Sequence, residues 1–211
     1  SFLKDYNSVE CENETKPDAT MVQSQCSGTN IAVSINNAAS IMDFCVKNNL
    51  PMRGHTLVWH SQTPDWFFKE NYDANADWVS VDVMNQRLEN YIKLVMETLE
   101  KDYPDVEFYA WDVVNEAMSD AGAGRFGREP NPYRESRLYK LCGDEFIAKA
   151  FQFAHEADPN AILFYNDYNA ATPAKRDRIY NMVKKMQAAG VPITGIGMQG
   201  HYNAYGPSDK D

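Results

Sequence analysis

The sequence predicts a single α/β domain built around a parallel β-sheet. Five apolar segments of strand length alternate with segments whose apolar residues recur at helical spacing. No composition break or low-complexity segment divides the 211 residues, which are enough to bury a core. Each predicted strand also ends in a cluster of polar side chains. We therefore expect one domain over residues 1–211, with its chemistry at one edge of the sheet.

The charge balance excludes several classes of partner. The formal net charge is −10, from 20 basic and 30 acidic side chains. This argues against a nucleic acid, whose phosphates need a basic surface, and against an anionic membrane surface. No apolar run is long enough to span a bilayer. A neutral ligand such as a carbohydrate is compatible with this composition.

The cysteines do not indicate a metal site. No two of the four are spaced as a CxxC pair, so a zinc centre is not expected. Cys45 falls on the apolar face of a predicted helix, where we expect a buried thiol. A disulfide among Cys11, Cys26, Cys45 and Cys142 is left open by the sequence. We predict no metal and no cofactor.

The first two strands flank a predicted helix. The first strand covers residues 6–11 and leads into a polar cluster, 12–17, which ends in a proline. Apolar residues at helical spacing predict a helix over 35–48, and the second strand covers 52–59. Strict alternation places two sets of side chains on opposite faces of this strand. These are His55, Leu57 and Trp59 on one face, and Thr56, Val58 and His60 on the other.

A long amphipathic helix precedes the third strand. Ser80 or Asp82 is suited to cap it, and it extends to about residue 101. Its apolar stripe consists of Met84, Leu88, Tyr91, Ile92, Val95 and Leu99. The third strand runs from 108 into 111–116 and ends in Asn115 and Glu116. A long loop, 121–136, follows, and its composition favours a functional role.

The last two strands follow the same plan. Asp144 is suited to cap a helix that leads to a fourth strand at 161–165, which ends in a polar segment, 166–169. Thr172 and Pro173 begin a helix that ends at Gly190. The fifth strand covers 193–198 and is followed by Gln199 and His201. The final segment, 208–211, is a polar tail.

The polar clusters at the strand ends carry the functional prediction. They contain Glu12, Asn13 and Lys16; His55, Trp59, His60 and Gln62; Asn115 and Glu116; residues 166–169; and Gln199 and His201. Any one cluster could be a solvated loop, and the residues around Glu116 do not by themselves decide between a loop and an acid/base. Five clusters on one rim favour an active site, because parallel strands of an α/β fold present their carboxyl ends together.

Other types of active site fit the sequence less well. Neither GxGxxG nor GxxxxGK[ST] follows the first strand, which disfavours nucleotide binding. A metal hydrolase could use His55, His60 and His201, but HxH and HExxH are absent, and His55 and His60 face opposite ways in a regular strand. GxSxG is also absent. Carboxylate chemistry on a neutral, hydroxyl-rich substrate remains, with Trp59 as a flat surface for a sugar ring.

Five motifs together resemble family 10 of the glycoside hydrolases, the endo-1,4-β-xylanases. They are ENETKP at 12–17, RGHTLVWHSQ at 53–62, WDVVNE at 111–116, YNDYN at 165–169 and GIGMQGH at 195–201. They occur in the order typical of the family and span nearly the whole chain. The resemblance implies a (β/α)8 TIM barrel of which this chain supplies about strands 2 to 6, and a secreted protein that acts on xylan or xylo-oligosaccharides.

The resemblance also implies roles for individual residues in retaining hydrolysis by two carboxyl groups about 5–5.5 Å apart. Glu116 matches the general acid/base, and Asn115 matches the group that binds the sugar 2-hydroxyl. His55, Gln199 and His201 match groups around the sugar under attack. The adjoining glycone-side subsite is matched by Glu12, Asn13, Lys16, Trp59 and Gln62. Tyr168 and Asn169 match the leaving-group side. For His60, Asp112 and Asp167 we expect supporting or structural roles.

The second carboxylate of the family has no counterpart here. The family's nucleophilic Glu follows the seventh strand, and no Glu occurs after Glu156 in this sequence. The first, seventh and eighth strands are also without counterparts. We therefore expect a further polypeptide segment to complete the barrel, and residues 1–211 alone to be inactive. A non-catalytic xylan-binding fragment and another retaining β-1,4-glycanase are the alternatives.

Overall fold

Five parallel strands form one sheet in the order in which they occur in the chain. The structure is a computed structural model that describes residues 2–121, 130–203 and 206. The strands are β1 (Val9–Glu10), β2 (Met52–Trp59), β3 (Phe108–Asn115), β4 (Ile162–Asp167) and β5 (Gly195–Met198). A doubly wound sheet reverses its strand order, whereas consecutive strands of a (β/α)8 barrel do not. The predicted fold class, part of such a barrel, is confirmed.

Helices connect the successive strands. The long connecting helices are α3 (Ala39–Asn48), α4 (Val81–Asp102), α6 (Glu145–Ala157) and α7 (Pro173–Ala188). Shorter helices are α1 (Phe2–Asp5), α2 (Pro17–Thr20) and α5 (Arg137–Cys142), and 3-10 turns occupy Gln23–Gln25, Asn36–Ala38, Asp65–Phe68 and Glu70–Tyr72. The sequence did not predict α5. No helix in the described part of the chain is both long and apolar enough to cross a membrane.

Helix α4 confirms the predicted stripe and adds a buried cation. All six apolar residues of the stripe are at most 2% exposed. Arg87, on the same helix, is also only 2% exposed. Its guanidinium donates hydrogen bonds to the carbonyls of Gly28, Phe67 and Lys69, and lies 3.7 Å from the centroid of the Tyr72 ring. These carbonyls explain how a cation is accommodated, since a buried donor needs partners.

The helix starts differ in how they are capped. Ser80 caps α4 as predicted, because its Oγ accepts a hydrogen bond from the Val83 N–H at 3.3 Å. Asp144 and Thr172 occupy the N-cap positions of α6 and α7 but make no side-chain cap. The carboxylate of Asp144 instead accepts a hydrogen bond from Lys185 Nζ at 2.9 Å. The prediction of a side-chain cap at Asp144 is therefore wrong, because an opposite charge on a neighbouring helix competes for its oxygens.

Several predicted boundaries need correction. Strand β1 contains only two residues of the predicted 6–11, β4 extends two residues beyond the predicted end, and β5 begins two residues later than predicted. Strand β2 has the predicted bounds but not the predicted strict alternation. His55 pairs with Asp112, whereas Val58 pairs with Val114, so β2 contains an extra residue between these pairs. Such a bulge shifts the faces of the following side chains, and the peptide bond between His55 and Thr56 is cis.

Close packing between β2 and β3 accounts for the glycine at position 54. A Cβ added at Gly54 would overlap the indole of Trp111, which is 1% exposed. Gly54 therefore allows the largest buried side chain of β3 to lie directly over its neighbouring strand.

Two predictions concern segments that are only partly described. Residues 122–129 of the predicted loop, and the polar tail at 208–211, lie outside the described residues.

The four cysteines are described, and all are free thiols. Cys45 is 1% exposed, which confirms that its thiol is buried.

Candidate active site

The carboxyl ends of the five strands surround a cavity of about 440 Å³. Eight of the ten predicted site residues line it, namely Glu12, Lys16, His55, Trp59, Asn115, Glu116, Gln199 and His201. The other two, Asn13 and Gln62, are hydrogen-bonded to Lys16, which lines the cavity. The structure thus brings together residues that are up to 189 positions apart in the sequence, from Glu12 to His201.

Glu116 lies at the end of β3 and is 8% exposed. Its two carboxylate oxygens accept hydrogen bonds from different strands. Trp59 Nε1 donates to Oε2 at 2.8 Å, and Gln199 Nε2 donates to Oε1 at 2.9 Å. Each of these contacts is made by a neutral N–H group. The carboxylate is therefore held on the rim by β2 on one side and by the segment after β5 on the other.

An amide network fixes the residue beside this carboxylate. Asn115 is 3% exposed, and its Oδ1 accepts hydrogen bonds from Asn166 Nδ2 at 3.0 Å and Gln199 Nε2 at 3.1 Å. Because Oδ1 is occupied by these donors, the Nδ2 group of Asn115 is the part oriented to donate to a ligand. His201 Nε2 lies 3.1 Å from Gln199 Oε1, which extends the network to the end of the described rim.

Lys16 organises the first-strand side of the cavity. Its Nζ donates to Asn13 Oδ1 and to Gln62 Oε1, each at 2.9 Å, and Gln62 Nε2 donates to Asn13 Oδ1 at 3.3 Å. The same ammonium lies 4.7 Å from the centroid of the Trp59 ring. Lys16 is 7% exposed, so its charge is held among polar groups and an aromatic face rather than in solvent.

A cluster of charged side chains lies beneath the rim, inside the curve of the sheet. The carboxylate of Asp112, which is 0% exposed, is hydrogen-bonded to Arg53 and, at 2.8 Å, to His55 Nδ1. This contact at Nδ1 leaves His55 Nε2 for the cavity. Glu10 lies 3.4 Å from His55 Nδ1 and 3.8 Å from Arg53 Nε. Burial raises the pKa of Glu10, and the nearby Asp112 carboxylate raises it further.

The same three residues, Glu10, His55 and Asp112, are close enough to hold a metal ion, with ligand atoms within 4.8 Å of one another. Arg53 already supplies a positive charge to this group through its bonds to Asp112. The 2.8 Å separation of His55 Nδ1 from Asp112 Oδ2 is that of a hydrogen bond. The arrangement therefore serves to orient His55 by hydrogen bonding.

His60, the residue that follows β2, lies close to Glu116. Its Nδ1 lies 3.9 Å from Glu116 Oε2, and this buried nitrogen has no hydrogen-bond partner among the described residues. Burial lowers the pKa of His60, and the positive charge of Arg134 lowers it further, against the opposing effect of Glu116. The imidazole is therefore neutral near neutral pH.

Next to Glu116, but outside the set of residues that line the cavity, lies a cluster of charged side chains that the sequence did not predict. Arg134 and Lys175 both bind Asp120, with Arg134 Nη2 at 2.9 Å and Lys175 Nζ at 2.7 Å. Tyr168, one of the two residues assigned to the leaving-group side, donates to Asp120 through its hydroxyl group and receives a hydrogen bond from Arg134 at 2.9 Å. The predicted neighbour Asn169 has a left-handed backbone, with φ +54°.

There are clear reasons why the sequence did not predict these residues. Arg134 and Asp120 lie in the loop between β3 and α5, outside the strand-end motifs, and Lys175 lies in the first turn of α7. Only the folded chain brings them together. A clue in the sequence is the location of Arg134 in the loop that directly follows Glu116, since loops after barrel strands carry functional groups.

The model of the family described as "Glycosyl hydrolase family 10" matches residues 1–211. The chain belongs to this family. Among curated relatives, endo-1,4-beta-xylanase Y of Acetivibrio thermocellus is 50% identical over 96% of this chain and 19% of its own length. An endo-1,4-beta-xylanase/feruloyl esterase of Xylanibacter ruminicola is 50% identical over 98% of this chain and 27% of its own length.

Solved family 10 structures match in fold as well as in sequence. The CBM22-1 and GH10 modules of a Clostridium thermocellum xylanase, complexed with xylohexaose, superpose with a TM-score of 0.87 and 49% identity. The match covers 96% of this chain and 40% of that one. A psychrophilic family 10 endo-beta-1,4-xylanase gives a TM-score of 0.84 at 45% identity, over 99% of this chain and 61% of that one. This chain therefore spans less than two thirds of the length of each of these four proteins.

Proposed function

We propose that the protein to which these residues belong is an endo-1,4-β-xylanase that hydrolyses internal β-1,4-xylosidic bonds with retention of configuration. The observation that carries this proposal is Glu116, a rim carboxylate held by Trp59 and Gln199 in a cavity of about 440 Å³. Membership of glycosyl hydrolase family 10 supports the reaction class. The xylohexaose bound to the Clostridium thermocellum relative supports xylan or xylo-oligosaccharide as the substrate.

In this proposal Glu116 acts twice. It first donates a proton to the glycosidic oxygen as the leaving group departs, and it then accepts a proton from the incoming water. The N–H groups of Trp59 and Gln199 suit the ionised carboxylate of the second step, because a carboxylate only accepts hydrogen bonds. In the first step, the protonated oxygen must exchange its N–H contact for the substrate oxygen.

The neighbouring residues would bind the sugar. The Nδ2 group of Asn115 would donate to the 2-hydroxyl, since its Oδ1 is already used by two amides. His55, Gln199 and His201 would surround the sugar under attack. The adjoining glycone-side sugar would contact Glu12, Asn13, Lys16, Trp59 and Gln62. Tyr168 and Asn169 would contact the leaving-group side.

Residues 1–211 do not supply the nucleophile that this proposal requires. Retention needs a second carboxyl group about 5–5.5 Å from the acid/base. Among the described residues, the polar contacts of the Glu116 carboxylate are with nitrogen atoms of Trp59, His60 and Gln199. We propose that a polypeptide segment outside residues 1–211 completes the barrel and provides this carboxylate. We also propose that the protein is secreted, as the family resemblance suggests.

The acid/base role predicts that Glu116→Ala affects substrates unequally. In the complete polypeptide, kcat/KM on xylan should fall by about 10²–10⁴-fold, the usual contribution of general acid catalysis. On an aryl xylobioside with a dinitrophenolate leaving group, the loss should be less than about tenfold, because this group departs without protonation. The measurement is kcat/KM for both substrates.

Glu97→Ala is the matched control, because Glu97 is an exposed carboxylate on α4. It should leave both rates unchanged. Equal losses on both substrates for Glu116→Ala would contradict the acid role. Parallel assays on xylan and soluble cellulose separate a xylanase from another β-1,4-glycanase, and binding without turnover by the complete polypeptide would identify a non-catalytic xylan-binding protein.

A further inference from the structure

Glu116 has an uncommon backbone conformation. Its φ is +57°, in the left-handed region that residues with a Cβ rarely adopt. Such a conformation is strained for a residue with a Cβ and persists where neighbouring groups impose it. Its N–H donates to the Asn166 carbonyl on β4 at 2.9 Å, so one side of the residue is anchored to the sheet. The carbonyl side has to be held by another group.

Arg134 holds that carbonyl. Its Nε donates to Glu116 O at 2.7 Å. The main-chain N–H of Arg134 also donates to the Ala117 carbonyl at 2.8 Å, and Ser119 N–H donates to the Pro132 carbonyl at 2.8 Å. The segment that contains Arg134 is therefore hydrogen-bonded along the chain that leaves the active-site strand.

The guanidinium group is itself held in place. Asp120 binds Arg134 Nη2 at 2.9 Å and Lys175 Nζ at 2.7 Å. Lys175 Nζ also lies 3.1 Å from Asp167, which is 0% exposed. Burial would raise the pKa of Asp120, but hydrogen bonds from Lys175 and Tyr168 outweigh burial and lower it. Asp120 is therefore ionised at neutral pH, and its hydrogen bond to Nη2 helps to orient Arg134.

We propose that Arg134 is a positioning residue for Glu116, which fixes the left-handed backbone from which the carboxyl group reaches the glycosidic oxygen. This inference rests on the proposed acid/base role of Glu116. The side-chain contacts of Glu116 cannot serve this purpose alone, because one of them must be exchanged when the carboxyl group turns to the substrate. The bond to the main-chain carbonyl is unaffected by that exchange. A displacement of about 1 Å at a reacting group can cost about 10²-fold in rate.

The test compares Arg134→Met with Arg178→Met in the complete polypeptide. Arg178 is a suitable control because its Nη1 also donates to a main-chain carbonyl after β3, that of Ser119, at 2.8 Å, without contacting Glu116. Arg134→Met should lower kcat/KM on xylan by about 10²-fold, mainly through kcat. On the dinitrophenyl xylobioside it should lose less than about fivefold, because protonation is not required there. Arg178→Met should change neither value by more than about twofold.

Arg134→Lys provides a second variant if the methionine variant does not fold. Lysine keeps the charge but lacks the planar group that binds Glu116, Asp120 and Tyr168 together, so an intermediate loss of about tenfold on xylan is expected. Equal losses on both substrates for the Arg134 variants, or no loss on xylan, would overturn the positioning role. A wild-type polypeptide that cleaves neither substrate would instead refute the proposed function, so the two failures are distinguishable.

Discussion

At the scale of the residue, His60 shows how burial changes the pKa of a side chain. The motif that contains His60 does not reveal this pKa. Its Nδ1 is buried 3.9 Å from Glu116 Oε2, and its pKa is lowered first by burial and then by Arg134. In the unfolded chain a histidine titrates near pH 6.5. Between that pH and the lower value in the folded state, the unfolded chain binds the additional proton. Acidification through this window therefore favours unfolding.

This linkage predicts a pH dependence of stability that His60→Gln should reduce. The free energy of unfolding of the wild type should fall as the pH is lowered from about 7.5 to 5, and the fall should be smaller in the variant. Urea unfolding at several pH values measures it. The control is His155→Gln, which removes an exposed histidine from α6, and the effect of His60→Gln should exceed its effect. An unchanged slope in His60→Gln would show that His60 is not responsible.

At the scale of the element, the helix starts show that a residue type suited to capping does not guarantee a cap. Ser80 lies at the N-cap of α4 and bonds the Val83 N–H, whereas Thr172 lies at the N-cap of α7 and makes no such bond. The presence of Pro173 in the first turn of α7 reduces the need for one, because proline has no N–H to satisfy. The same residue chemistry thus contributes differently to two helices.

The two helix starts provide a matched pair of substitutions. Ser80→Ala should lower the free energy of unfolding by about 1 kcal/mol, the typical effect of losing a side-chain cap. Thr172→Ala should lower it by less than about 0.5 kcal/mol, as expected for a site without such a bond. Chemical denaturation of both variants measures the difference. Equal losses would contradict the assignment of the cap to Ser80 alone.

At the scale of the whole molecule, the sheet is bound together from inside its curve. Asp112 on β3 accepts hydrogen bonds from Arg53 and His55 on β2, and Glu10 on β1 pairs with both. These contacts join three strands beneath the candidate site. Within the described residues, β1 and β5 each pair with a strand on one side only. A barrel requires closure, because an open parallel sheet leaves backbone donors and acceptors unpaired at its edges.

The polypeptide of residues 1–211 is expected to bind xylo-oligosaccharides without hydrolysing them. It carries the proposed acid/base and glycone-side residues, but the proposed nucleophile lies elsewhere. Reducing-sugar release from xylan, measured on purified polypeptide of confirmed mass, should equal that of its Glu116→Ala variant. Release above the level of this variant would show that residues 1–211 suffice for catalysis.

Much of the fold and the site could be predicted because the information is local. Strand and helix segments follow from the periodicity of apolar residues, and the bounds of β2 and the buried stripe of α4 occur as predicted. The candidate residues could be found because parallel strands present their carboxyl ends on one rim. Glu116 and its neighbours on that rim were therefore identified from motifs at strand ends.

Contacts between distant parts of the chain follow only from the folded structure. The sequence alone determined the α/β class, the family resemblance and the ten residues expected at the site. Only the folded chain placed Trp59 and Gln199 on the two oxygens of Glu116, and Arg134 on its carbonyl. It also broke the alternation of β2 with an extra residue. The physical reason is that hydrogen-bond partners and strand register are set by three-dimensional packing, which local periodicity does not encode.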